Sequence, residues 1–155
     1  MADFLLRAAG TADLDALLSF WRLAAEGTHR TDSRAGVEAL LARDPQAVLL
    51  ALDVPNLDLP TLDADLPAGG PAIIGSVIAG WDGWRAHLYR LAVHPDRRRQ
   101  GIGSALLEAA EQRFIALGGG RFDAMVLNHN ELGQKSWAAA GYRPQPEWTR
   151  WVKRP

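Results

Sequence analysis

The sequence contains no cysteine. That excludes disulfides, cysteine-ligated metals and any acyl-cysteine intermediate, and it is the usage expected in a reducing cytoplasm. No apolar run reaches the ~18–20 residues that a membrane helix needs. The opening MADFLLRAAGTADLD, with an early acid and only a short apolar stretch, is not built like a secretory signal. Neither sign of charge is in surplus. Seventeen Lys and Arg against 18 Asp and Glu leave a formal net charge of −1, which favours neither nucleic acid nor an anionic membrane as a partner. Without an HExxH pattern or a spaced carboxylate cluster, no metal is expected. Two phosphate-loop patterns also fail. Ser104-Ala105 follows Gly103 where a P-loop needs Lys-Ser/Thr, and Leu106 stands where a dinucleotide fingerprint needs its third glycine.

What is present suffices for a folded core. Hydrophobic residues make up 48% of 155 positions, which suggests one domain spanning 1–155. Phe4 to Arg7 reads as a strand. Thr11 can cap a helix whose apolar face carries Leu14, Leu17, Leu18, Trp21 and Ala25 and which Gly27 ends. After a polar connection, Ser33 can cap a second helix with Val37, Leu40 and Leu41, stopping before Pro45. Ala47 to Val54 reads as a buried strand. The stretch Pro55 to Pro71, with four prolines and Gly69-Gly70, reads as an irregular excursion, a surface loop rather than a lid. Ala72 to Gly80 is the next strand, with Gly75 suited to a bulge. Asp82-Gly83 suits a type I′ turn into a return strand, Arg85 to Val93. A helix follows from Ile102 to Leu117 with the stripe Ile102, Leu106, Ala110, Phe114 and Leu117, and Gly118-Gly119-Gly120 ends it. Phe122 to Leu127 is a strand, Glu131 to Ala140 a helix closed by Gly141, and two short strands are expected at Tyr142-Arg143 and Glu147 to Lys153. The class is α/β, in the order β-α-α-β-β-β-α-β-α-β-β.

The most informative stretch is Leu91–Leu107, LAVHPDRRRQGIGSALL. A strand end, a turn with Arg97, Arg98 and Arg99, and a glycine-bearing helix start follow one another. The first N–H groups of a helix have no intrahelical partner, and the macrodipole adds positive charge there. Glycine allows close backbone approach and arginine adds charge-assisted bonds, so this is an anion site suited to phosphate.

The segment Arg98-Arg99-Gln100-Gly101-Ile102-Gly103, preceded by LAVHP and followed by SALL, resembles the acetyl-CoA pyrophosphate loop of the GNAT N-acetyltransferase superfamily, R/Q-x-x-G-x-G/A. The resemblance covers nearly the whole chain. It implies a mixed, splayed central sheet with helices on both faces and acetyl-CoA as co-substrate, seated between two parallel strands ending near Val93 and Leu127. Main-chain groups of Leu91, Ala92 and Val93 would hold the pantetheine arm, and the Leu91 N–H would polarise the thioester carbonyl. The N–H groups of Arg99, Gln100, Gly101, Ile102, Gly103 and Ser104 would hold the pyrophosphate. Arg98 or Arg99 would reach its phosphates, with Arg97 a solvated neighbour.

A second signature, Asn130-x-x-Gly133-x-x-Ser136-Trp137-x-x-x-Gly141-Tyr142, is similar to the family's N-x-x-A-x-x-F-Y-x-x-x-G-F. By that likeness Asn130 would bond the cofactor amides, although asparagine also suits a helix N-cap. Trp137 occupies the place of the family's usual tyrosine, the acid for the leaving thiolate. An indole N–H donates a hydrogen bond but is no useful acid near neutral pH, so Trp137 would stabilise thiolate or simply pack.

The resemblance implies transfer of acetyl to a primary amine, small molecule or peptide, by direct attack in a ternary complex. The rival is a non-catalytic CoA-binding module. An amine with pKa ~10.4 is mostly ammonium at neutral pH, so a base is needed. No acid lies between Arg85 and Val93. His87 and Tyr89 do, on one face with Leu91 and Val93 by strand alternation, and the segment looks like the arylalkylamine N-acetyltransferase strand. His87 is the candidate base or water-holder, or else packs beside Trp84. Tyr89 is a relay, a replacement acid, or a half-buried aromatic. Glu26 and His29 are candidate acceptor contacts. Trp21 and Trp84 either wall an acceptor pocket or pack. The expected state is a cytoplasmic monomer or homodimer, with no nucleic-acid or membrane partner.

Overall fold

The computed structural model describes residues 3–25, 32–54 and 70–155. They fall into two compact units, Met1–Met125 and Val126–Pro155. The first holds β1 (Phe4–Ala8), α1 (Leu14–Ala24), α2 (Arg34–Arg43), β2 (Val48–Asp53), β3 (Ile73–Trp81), β4 (Ala86–Val93), α3 (Ile102–Ala116) and β5 (Phe122–Ala124); the second holds α4 (Glu131–Ala139).

The sheet is five-stranded in the order β1-β2-β3-β4-β5. The first three pairings are antiparallel and β4–β5 is parallel. A parallel neighbour needs a crossover, which α3 supplies. β3 lies at the centre and is buried on both faces. Two adjacent β3 residues show how the layers are arranged. A Cβ on Gly75 would sit 2.7 Å from Ile102 Cγ2 and 2.8 Å from Leu106 Cδ1, so this face touches α3 and only glycine fits there. The next residue, Ser76, points the other way and accepts a bond from the Trp21 indole of α1 at 2.9 Å. The helices thus cover both faces. On the α1–α2 side the core gathers Leu14, Leu17, Phe20 and Trp21 against Val37, Leu41, Val48, Leu50 and Leu52.

The local signals act as their chemistry requires. Ser33 caps α2 by accepting the Gly36 N–H at 3.0 Å. At α1, Thr11 lies in a 3-10 turn, Thr11–Asp13, and the side chain that anchors the helix start is Asp13, which accepts the Gly10 N–H at 2.7 Å. Phe20, absent from the expected stripe, is buried, and α1 ends at Ala24. Leu117, expected in the α3 stripe, lies past the helix end and is 43% exposed. The β3–β4 connection is not the expected type I′ turn, which needs positive φ at both central residues. Only Gly83 has it, and the Asp82 carboxylate instead draws the chain round by accepting the N–H groups of Trp84 and Arg85 at 2.8 and 2.6 Å.

In the second unit, Asn130 caps α4 by accepting the Gly133 N–H at 2.8 Å. The helix closes with paired bonds, Tyr142 N–H to Trp137 C=O at 3.0 Å and Gly141 N–H to Ala138 C=O at 3.1 Å, with Gly141 at φ 93°. This is a Schellman closure, and the edge-on contact of the Trp137 and Tyr142 rings, centroids 4.9 Å apart, is its accompanying apolar contact. The two strands expected after Gly141 are not formed among the described residues, and β5 stops at Ala124 rather than Leu127. Pro144 and Pro146 each lack the N–H a ladder would use.

Candidate functional site

The loop after β4 is held from both sides. Pro95–Arg97 forms a 3-10 turn, with the Asp96 N–H donating to His94 Nδ1 at 3.2 Å. Arg97, expected to be a solvated neighbour, is instead the loop's anchor. Its Nη1 donates to Asp53 Oδ2 of β2 at 2.8 Å and its Nε to Gln100 Oε1 at 3.0 Å. Arg98 and Arg99 are exposed and make no ion pair among the described residues. Arg99 and Gly101 are left-handed, at φ 60° and 80°. Residues of that hand gather successive N–H groups into an anion-binding concavity. The first helical bond of the segment runs from the Ala105 N–H to the Gly101 carbonyl at 2.9 Å, so the N–H groups of Ile102, Gly103 and Ser104 lie ahead of any helical acceptor. A Cβ on Gly101 would meet nothing within 4 Å. The loop has the donors and the open space that a pyrophosphate requires.

Before this loop, β4 outruns its parallel partner. The β4–β5 ladder runs only from Ala86–Phe122 to Leu88–Ala124, while β4 continues to Val93. Leu91, Ala92 and Val93 therefore extend beyond their parallel neighbour. The other edge of β4 stays paired with β3 but carries a bulge: Ser76 opposes Ala92 and Ile78 opposes Tyr89, so Val77 alone stands opposite Arg90 and Leu91. Arg90 has φ 52°, an uncommon conformation for a residue with a Cβ.

The bulge corrects the expectation that His87, Tyr89, Leu91 and Val93 share a face. Opposed residues of an antiparallel pair point to the same side. His87 and Tyr89 oppose Gly80 and Ile78, and Ala92 opposes Ser76, on the α1–α2 side; Val93 opposes Gly75, on the α3 side. One extra residue inverts the alternation between Tyr89 and Ala92.

His87 and Tyr89 are brought together, with ring centroids 6.1 Å apart. Both line a shallow depression of about 200 Å³ with Leu40, Arg43, Asp44 and Asp82. His87 Nε2 lies 3.8 Å from Asp82 Oδ2. The backbone N–H groups of Arg85 and Trp84 hold the Asp82 carboxyl below the usual carboxylate range. Asp44, also on the rim, is paired with Arg113, and Asp123, opposite His87 in β5, is paired with Arg121, so Asp82 is the acid within 4 Å of the imidazole. Trp84 is not packed beside His87; it is 76% exposed with the Arg85 guanidinium stacked 4.5 Å over its ring. Trp21 is 1% exposed and takes the packing role. Glu26 and His29 lie outside the described residues.

Two groups at the bulge carry no local sequence signal. Ser76, 0% exposed, accepts from Trp21 Nε1 and donates to the Arg90 carbonyl at 3.1 Å. Asp32 Oδ1 accepts Arg90 Nε and Nη2 at 3.0 and 2.7 Å, while its Oδ2 is buried with no hydrogen-bond partner among the described residues. Asp82 was legible only as a turn residue. No group of three or more potential metal ligands occurs among the described residues, and no helix among them is long and apolar enough to cross a membrane.

The profile of the Acetyltransferase (GNAT) family matches residues 66–142. An acetyltransferase of Pectobacterium atrosepticum is 31% identical over 119 residues, 77% of this chain and 73% of that protein. The chain belongs to the GNAT acetyltransferase family. A second relative, an acetyltransferase of Yersinia enterocolitica, is 43% identical over 60 residues, 39% of this chain and 43% of that protein. The GNAT fold is matched by the PaiA N-acetyltransferase of Thermoplasma acidophilum, solved in complex with coenzyme A, at TM-score 0.69 and 19% identity over 92% of this chain and 91% of that one. The family match contains β3, β4, the arginine loop, α3, β5 and α4, so it includes the whole strand–loop–helix unit, while Asp53 at the end of β2, which anchors Arg97, lies before it.

Proposed function

We propose that this GNAT member is an N-acetyltransferase that takes acetyl from acetyl-CoA to a primary amine, a small molecule or a peptide, by direct attack in a ternary complex. The observation that carries the reading is that the β4–β5 ladder ends at Leu88 while β4 runs on to Val93 and leads into the left-handed loop that opens α3. The part of β4 beyond that ladder and the loop adjoin in one strand–loop–helix unit, as a long thioester with a pyrophosphate at one end requires.

In this reading the N–H groups from Arg99 to Ser104 bind the pyrophosphate, with Arg98 and Arg99 supplying charge from the rim. The main chain of Leu91, Ala92 and Val93 orients the pantetheine arm. The Leu91 N–H donates to the thioester oxygen as negative charge develops there. His87 takes the ammonium proton, directly or through water, so that the free amine can form its C–N bond to the carbonyl carbon; as the C–S bond breaks, coenzyme A leaves as thiolate and takes up the proton that the acylated nitrogen sheds. Asp82, 3.8 Å from Nε2, orients the imidazole, and Tyr89 relays or returns a proton. The absence of cysteine supports direct attack. Asn130 and Trp137 belong to the reading by motif likeness. In α4 the Asn130 Oδ1 serves the cap and Trp137 packs on Tyr142, so neither is assigned a proton-transfer role. The whole chain is read as one catalytic domain acting in the cytoplasm.

That engagement of Trp137, where the family usually has tyrosine, favours one second reading, a CoA-binding module without turnover. An amine screen with detection of free CoA thiol separates the two. Turnover on a small amine, polyamine or peptide is expected. Tight acetyl-CoA binding with no turnover on any of them favours the module, and parallel initial-rate lines would overturn the ternary complex.

A further inference from the structure

The bulge in β4 is built by buried polar groups drawn from distant parts of the chain. Ser76 is the polar residue in the otherwise apolar buried set of the described residues. A hydroxyl there needs partners, and it has two: it accepts the Trp21 indole N–H at 2.9 Å and donates to the Arg90 carbonyl at 3.1 Å. Packing alone does not explain this arrangement. An apolar residue at 76 would fill the space but take the acceptor from the buried Trp21 indole N–H and a donor from the Arg90 carbonyl. The carbonyl it holds belongs to the left-handed residue of the bulge, and that carbonyl shares its peptide plane with the Leu91 N–H. Fixing one atom of a rigid plane fixes the direction of the other. The Arg90 side chain is pinned independently by Asp32.

We propose that Ser76 is a positioning residue for acetyl transfer. Backed by Trp21, it fixes the Arg90–Leu91 peptide plane and so aims the Leu91 N–H at the thioester oxygen. The inference rests on the reading of Leu91 given above.

The test uses the full chain, isotope-labelled, with acetyl-CoA and CoA as probes. In the wild type, the Leu91 amide proton should move further downfield with acetyl-CoA than with CoA, because only the former has a carbonyl to accept the bond. In Ser76→Ala that extra displacement should fall by roughly half or more, with CoA affinity by calorimetry within about twofold of wild type. With an acceptor found in the screen, kcat should drop about tenfold or more at nearly constant KM for acetyl-CoA, because the donor is misaimed rather than lost. Ser76→Thr, which keeps a hydroxyl, should restore most of the displacement. If Ser76→Ala does not fold, Trp21→Phe removes the backing N–H with little loss of volume and should show the same split. A folded Ser76→Ala or Trp21→Phe with the full Leu91 displacement overturns the inference. A wild type that binds acetyl-CoA with no extra displacement at Leu91 overturns the underlying reading instead.

Discussion

Arg97 reaches from the loop after β4 to Asp53 at the end of β2, 2.8 Å away, and ties the candidate phosphate loop to a strand 44 residues earlier. The pair is partly buried, with side-chain exposures of 24% and 30%, so solvent screens it only in part. Replacing Arg97 by Ala should weaken acetyl-CoA binding by about 3- to 10-fold, the effect of about 1 kcal/mol. Asp53→Asn should reproduce most of that loss although it removes no positive charge. Calorimetry on both variants checks this; an Asp53→Asn protein with wild-type affinity would mean that Arg97 acts through its charge alone.

Gly101 tests the loop from inside. Its φ of 80° costs an L-residue roughly 1 kcal/mol, and open space lies where its side chain would be. Gly101→Ala should therefore lose a little stability and some affinity. Gly101→Asp adds a like charge beside the pyrophosphate and should bind acetyl-CoA at least about tenfold more weakly than Gly101→Ala. Equal affinity for the two would remove the anion site from the loop.

His87 and Asp82 make a prediction in pH. The N–H groups of Arg85 and Trp84 lower the Asp82 pKa, so its contribution to stability is complete above the usual carboxylate value and is lost only as pH falls through its lower folded value. Across the pH range in which histidine titrates, Asp82 is therefore a constant negative charge. His87→Ala should lower the rate and change its pH profile, because the base is gone, and leave acetyl-CoA affinity unchanged. Asp82→Asn should lower kcat/KM several-fold, because the carboxylate 3.8 Å from His87 Nε2 no longer orients the imidazole. The other groups around His87 are Tyr89, the Arg43 and Asp44 of the depression, Arg85, and Asp123 opposite it in β5. None of them is altered by that substitution. Wild-type kcat/KM in Asp82→Asn would dissociate the pair.

Asp13 gives a second pH signature, in stability rather than rate. The Arg7 guanidinium, which grips both carboxylate oxygens at 2.7 and 2.8 Å, and the Gly10 N–H hold the Asp13 carboxyl below its usual value. The stabilisation is full above the unfolded pKa of ~3.9 and disappears as pH falls through the lower folded one. Asp13→Asn should lose about 1 kcal/mol or less at neutral pH, the scale of a solvent-screened ion pair, and nothing further on acidification. Denaturant titrations at pH 7 and pH 3 would reveal a difference that narrows with acid.

Several features could be read from residues alone because their causes are local. Ser33 caps its helix, Gly141 closes α4, and the Arg-rich turn into Gly101 makes a left-handed entry to α3. Others could not, because their causes are distant in sequence. Nothing around Arg90 marks a bulge, since neither glycine nor proline is near it. The left-handed backbone there is sustained by Ser76, 14 residues away, and Asp32, 58 away. That one hidden residue is why alternation failed to place His87 and Val93 on their proper faces. Arg97 looked solvated for the same reason: its partner Asp53 belongs to another strand. After Gly141, strand-like composition in Glu147 to Lys153 was outweighed by the missing donors of Pro144 and Pro146.

The neighbours Gly75 and Ser76 also constrain how the sheet can assemble. One admits no Cβ beneath Ile102 and Leu106, and the other must meet an indole N–H on the opposite side. A slip of β3 by one residue would drive the hydroxyl into the aliphatic layer of α3 and leave the Trp21 N–H facing a hydrogen atom. Gly75→Ala should cost about 1–3 kcal/mol by overpacking, which thermal melts would register. Its subtler effect would be to weaken the lock on pairing, so refolding of that variant should yield more misregistered, aggregation-prone chains than its loss of equilibrium stability accounts for. The two residues that fit this strand between its helices thus also act as a proofreading step during folding.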